Sequence, residues 1–163
     1  MIILTSTDKI QLTTSAATDV DVQASYVDAP TPAMTPSAPG RKNTMITTAA
    51  TTDIVASPAA STVRTVKFVS IRNTSSVTAN TITVLHTDGT NIPELCQQIL
   101  TPGSELFYEE GTGWYVHANS TLVTPDIQTF NGTGGTWTKP AGAKTVIVEI
   151  IGAGGGGRSE EHT

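Results

Sequence analysis

The chain has 163 residues, 37% hydrophobic and 14% charged, and nine Lys and Arg against fourteen Asp and Glu give a formal net charge of −5. That length holds one domain, or one domain with a fragment of another, and excludes a large multidomain enzyme. Thirty Thr, 14 Gly and 9 Pro disfavour helix and favour strands and turns, so an all-β chain is the first expectation. No cluster of four or more basic residues occurs, which speaks against nucleic-acid binding through a basic patch. Cys96 stands alone, so neither an internal disulfide nor a Cys-based metal site is available. The first ten residues carry no basic leader region and no apolar run approaches ~18 residues, so neither a signal peptide nor a membrane span is expected.

In chain order, residues 2–4 and 10–12 read as short strands. Val20, Val22, Ala24 and Tyr26 then alternate with Asp19, Asp21, Gln23 and Ser25, a period of two that buries one face and wets the other. Residues 29–43 hold Pro30, Pro32, Pro36 and Pro39 and read as one extended loop, either mobile or laid against a neighbouring subunit. Residues 44–56 read as one further strand. In 63–73, Val66 and Phe68 share one face while Val69 and Ile71 take the other, which predicts a strand buried on both faces or a bulge near Val69. Residues 81–87 close at Asp88-Gly89 and 92–100 at Pro102-Gly103, turn pairs in which Gly supplies positive φ and Pro presets it. Strands at 105–109 and 114–117 flank a glycine-containing hairpin loop. Short strands at this spacing predict a β-sandwich, jelly-roll-like in type, with Val66, Phe68, Ile82, Val84, Leu106 and Trp114 in its core. The composition shifts after Asn119. Residues 1–120 are therefore read as the sandwich, 121–128 as a linker and 129–157 as a separate glycine-rich β segment.

Candidate chemistry is sparse. Gly152–Gly157 fits G-x-G-x-x-G after an apolar strand, but a dinucleotide site needs a following helix and an acidic residue ~20 positions on, so a structural glycine segment is the better reading and no cofactor is expected. His86, Asp88 and His117 outline a small metal site, yet His86 shares a face with Ile82 and Val84, which favours a packed or edge histidine. Glu105 and Glu109 fall on one strand face at roughly 13 Å, beyond the ~5–9.5 Å of glycosidase carboxylate pairs. No G-x-S-x-G elbow or Cys–His pair supports nucleophilic catalysis, so an enzyme is not expected. Trp114, Tyr115 and Trp137 remain as candidate ligand or subunit contacts, since hairpin aromatics either stack on sugars or serve as core and cross-strand partners.

One segment carries a recognisable pattern. Phe130, Gly135-Thr136-Trp137-Thr138, Pro140-Ala141-Gly142 and the apolar run 146–151 leading into Gly152–Gly157 resemble the opening of the glycine-rich domain of tailed-bacteriophage tail-fibre and virion proteins. More loosely, residues 1–120, with RTVKFVSIRN and LTPGSELFYEEGTGW, look like an N-terminal module of phage virion proteins. The resemblance implies a structural protein of the virion, assembled in the host bacterial cytoplasm, whose first domain docks on other virion proteins, with a homotrimer expected. It also implies a glycine-rich end that projects outward toward a host surface glycan or protein. Capsid decoration, as a head fibre, is the alternative within that class, and a carbohydrate-binding module is the alternative outside it. The last six residues, RSEEHT, resemble the translation of a sequencing-library adapter, so the natural sequence is expected to continue past Gly157.

Overall fold

A computed structural model describes residues 1–118 together with positions 136 and 138. The chain divides into two units, Met1–Thr121 and Leu122–Thr163, and all the strands described below belong to the first. They are β1 (Ile2–Leu4), β2 (Lys9–Thr14), β3 (Val20–Pro30), β4 (Ala38–Ile46), β5 (Thr51–Val55), β6 (Thr62–Asn73), β7 (Asn80–Thr87), β8 (Glu94–Leu100), β9 (Glu105–Glu109) and β10 (Gly113–His117). The described chain is thus all-β, with every pairing antiparallel. A larger sheet runs β10-β9-β6-β3-β4, with β1 also on β6, and a smaller sheet runs β5-β2-β7-β8.

The two sheets form a sandwich because each strand turns alternate side chains inward. From the larger sheet, Val20, Val22, Ala24, Val66, Val69, Ile71, Leu106 and Tyr108 enter the core. From the smaller sheet, Ile10, Leu12, Ile54, Ile82, Val84 and Leu100 meet them, each fully buried. Removing one such aliphatic side chain from water contributes ~1.5–3 kcal/mol, and this cluster is the main source of stability. Cys96 pairs with Val84 and packs against the cluster as a small apolar group.

β6 organises the larger sheet. Its register against β3 shifts between Ser25 and Tyr26, which leaves Lys67 as an extra residue. On its other edge, β1 pairs with 64–66 and β9 with 68–72, so the two short strands lie end to end with Lys67 in the gap. The Glu110 backbone N–H donates to the Lys67 carbonyl at 3.0 Å and the Glu110 carboxylate pairs with the Lys67 amine, which fixes the bulge. One extra residue reverses side-chain parity. Val66 and Val69 therefore both point inward, and Phe68, expected in the core, turns to the outer face and is only half-buried. Val66, Ile82, Val84 and Leu106 are core residues as expected, and Trp114 is partly buried against the core.

The proline-rich stretch is also corrected. Residues 29–43 contain a loop only at 31–37, since β3 extends to Pro30 and β4 begins at Ala38. The reason is positional: β4 is an edge strand, so the missing N–H of Pro39 costs no ladder bond, and the extended backbone that proline imposes suits a strand. Residues 44–56, read as one strand, divide between the end of β4 and β5.

Polar groups close both ends of the sandwich. Asn80, fully buried, accepts from the backbone N–H groups of Ser15 and Ala16 and donates to the Ala16 carbonyl and the Thr18 hydroxyl. Asn73, equally buried, donates to the carbonyls of Thr78 and Leu100 and accepts from the Ser75 N–H. At the opposite end Arg64 forms a two-pronged pair with Asp28 at 2.7 and 2.8 Å and donates to the Ala56 carbonyl at 2.9 Å. Its guanidinium lies 3.7 Å from the centre of the Tyr26 ring. The same ring covers Gly40, where a Cβ would come within 2.2 Å of it, so the strand pair needs glycine there.

Candidate functional site

The outer face of the larger sheet follows from its register. Antiparallel partners share a face, so the outward residues of β4, β3, β6, β9 and β10 form three rows across the sheet. One row reads Arg41, Ser25, Phe68, Glu109, Gly113; the next Asn43, Gln23, Ser70, Phe107, Tyr115; the third Met45, Asp21, Arg72, Glu105, His117.

Two features stand out on this grid. Toward β10, three rings form a continuous ridge: Phe68 to Phe107 at 5.9 Å between centroids, then Phe107 to Tyr115 at 5.4 Å, near-parallel. Beside it lies an open depression of about 530 Å³, lined by Asp21, Gln23, Asn43, Met45, Ser70, Arg72 and Glu105. Its floor is low because Ser70, a small side chain, occupies the centre of the middle row between Gln23 and Phe107. The Ser70 hydroxyl donates to the Glu105 carboxylate, which holds that acid against the floor. The side chains of Asp21, Gln23, Asn43 and Arg72 have no intramolecular hydrogen bond or ion pair among the described residues. Lost hydration, and then the Glu109 carboxylate beside it, raise the Tyr115 pKa above its ordinary value of 10.0, so the phenol stays a donor.

The outer face of the smaller sheet is arranged differently. Lys9 Nζ and Gln11 Nε2 donate to the two oxygens of Asp53 at 2.8 and 2.7 Å. The hydroxyls of Thr13 and Thr51 share a 2.7 Å hydrogen bond, and Gln97 Nε2 donates to the Thr83 hydroxyl at 3.1 Å. These donations, Lys9 first, hold the Asp53 carboxyl below its ordinary 3.8.

Of the aromatic residues singled out in the sequence, Trp114 and Tyr115 take opposite sides of β10. Trp114 packs at 5.1 Å on the buried Tyr108, whereas Tyr115 joins the outer ridge. Trp137 lies outside the described residues, as do Gly152–Gly157. His86 pairs with the inward Ile10, so it is packed rather than displayed. Asp88 instead organises its own turn: its carboxylate accepts from the backbone N–H groups of Asn91 and Thr90 and from the Asn91 side chain, which pushes its pKa down to about 2. Among the described residues no three His, Cys, Asp or Glu side chains are grouped to hold a metal ion. Glu105 and Glu109 do share one face, two rows apart, the first on Ser70 and the second beside Tyr115.

Phe107, Gln23, Asn43 and Arg72 were not marked by sequence reasoning. Alternation alone puts them on outward positions, but the pairing of β3 with β6 and of β6 with β9 is what brings them together. No family model, curated protein or solved structure matches this chain. The outer face is therefore read from its own chemistry.

Proposed function

We propose that the chain is a structural component of a bacteriophage virion, of the tail-fibre or adhesin type, acting as an assembled part. The observation that carries this reading is the glycine-rich segment 129–157, whose G-T-W-T, P-A-G-A and G-A-G-G-G-G elements resemble the opening of fibre domains. The N-terminal sandwich supports it in a different way. β4 and β10 end the larger sheet, β5 and β8 the smaller one, and β1 pairs only with β6, so five strands have an unpaired side among the described residues. Bare edges of this kind invite association, and a closed ring of identical copies covers them without leaving a growing end. A homotrimer docked on other virion proteins, with the glycine-rich segment turned toward the host surface, meets that requirement.

Light scattering of the full chain tests the assembly part: a trimer is expected, and a stable monomer counts against it. Immunogold labelling of particles from the source phage tests the placement. Label at the fibres is expected. Label on the head transfers the proposal to a capsid-decoration protein, and particles without label contradict both.

A further inference from the structure

The outer face of the larger sheet sets a ridge of rings beside an open polar depression, and its chemistry narrows what such a face could take. We infer that this face binds a neutral, hydroxyl-rich oligosaccharide along the Phe68–Phe107–Tyr115 ridge and the adjoining depression. The inference goes beyond the virion reading and does not rest on it.

Three observations carry it. First, ligand sites combine an apolar platform with a few convergent polar groups. Here the ring ridge borders the depression directly, since Phe107 pairs with Ser70 at its floor. A sugar offers the complement: C–H faces for the rings and hydroxyls for the polar groups. Second, those polar groups are uncommitted. The side chains of Asp21, Gln23, Asn43 and Arg72 supply both donors and acceptors and have no hydrogen-bond or ion-pair partner among the described residues, whereas comparable groups on the opposite face bond one another. Third, charge argues against an anionic occupant. Two arginines (Arg41 and Arg72) face three carboxylates (Asp21, Glu105 and Glu109) on the grid, so no net positive field is present to hold a phosphate or sulfate. The three rows cover on the order of 500 Å² of sheet, from five strands at ~4.8 Å and rows at ~7 Å, enough for several sugar rings laid end to end.

Binding of the full chain to a printed array of neutral, sulfated and sialylated oligosaccharides, followed by calorimetry on the strongest ligand, tests this. Saturable binding to neutral glycans is expected, weakened at least tenfold by Tyr115→Ala and by Asn43→Ala, and unchanged by Gln97→Ala on the opposite face. Circular dichroism of each variant separates lost contact from lost fold, and Asn43, exposed on an edge strand, serves as the substitution least coupled to folding. A folded chain that binds no array glycan overturns the inference, as does binding confined to acidic glycans or equal for all three variants. Self-association abolished by Tyr115→Ala would also overturn it, by giving the face to a second copy. Particle labelling is read separately, so either proposal can fail without the other.

Discussion

The two outer faces of the sandwich draw on overlapping residue types, amides and carboxylates with an occasional amine, but commit them differently. On the smaller sheet Lys9, Gln11 and Asp53 form one cross-strand cluster, Thr13 bonds Thr51, and Gln97 bonds Thr83. On the larger sheet the side chains of Asp21, Gln23, Asn43 and Arg72 bond to nothing among the described residues, and they stand beside three adjoining aromatic rings. A donor already paired must break that bond before it can serve a ligand, whereas one facing only water exchanges one partner for another. Composition therefore does not distinguish a closed face from an open one; pairing does.

Several substitutions break or sharpen that contrast. The largest effects come from beneath both faces, where the sheets are equivalent. Ile71→Ala under the larger sheet and Ile82→Ala under the smaller should each cost ~2–5 kcal/mol in urea melts, because both side chains are fully buried in one shared core. A loss below ~1 kcal/mol for either would separate the sheets energetically. Next comes Asn80→Ala, expected to cost ~1–3 kcal/mol by leaving the Ala16 N–H without its acceptor and the Thr18 hydroxyl without its donor, while the Ser15 N–H keeps the Thr81 carbonyl. Equal stability of this variant would mean that water replaces the side chain.

Phe68→Ala should cost only about 1 kcal/mol, against ~3–5 for a core phenylalanine, since its ring lies on the outer ridge. A loss in the core range would place the bulge elsewhere. This residue also marks how far the sequence reaches. The phase change between Val66 and Val69 is visible in the letters, where it fits either a bulge or a strand buried on both faces. The location of the bulge at Lys67 is not visible there, because it depends on β1 and β9 meeting end to end along β6 and on Glu110 bonding the extra residue. Pro39 teaches the same lesson. Proline reads as a loop signal until the strand it belongs to is known to be an edge. Most strands and the hairpin turns are local properties, legible from alternation and from pairs such as Asp88-Gly89, whereas the start of β4 and its separation from β5 were not. Of the outer face, Tyr115 was legible as an aromatic residue in a hairpin, Asp21 and Gln23 as the wet side of one strand, and Glu105 and Glu109 as one face of another. The rest needs the order of strands that are distant in sequence.

The smallest expected effect is electrostatic and belongs to the closed face. Asp53 is held below 3.8 in the folded chain by Lys9 and Gln11, so its contribution is present above about pH 4 and is lost as pH falls through its lowered folded value. The Lys9 and Asp53 side chains are 41% and 35% exposed, so solvent screening leaves ~0.5 kcal/mol as the scale to look for. Asp53→Asn should flatten the acid limb of the stability profile by that amount, and a steeper limb would reverse the sign.

The most direct test of the contrast is chemical-shift mapping of the ¹⁵N-labelled chain with the array's strongest neutral oligosaccharide. The account predicts perturbations at Asp21, Gln23, Asn43, Ser70, Phe107 and Tyr115, with Gln11, Thr13, Thr83 and Gln97 silent. Perturbations centred on the second group would contradict it.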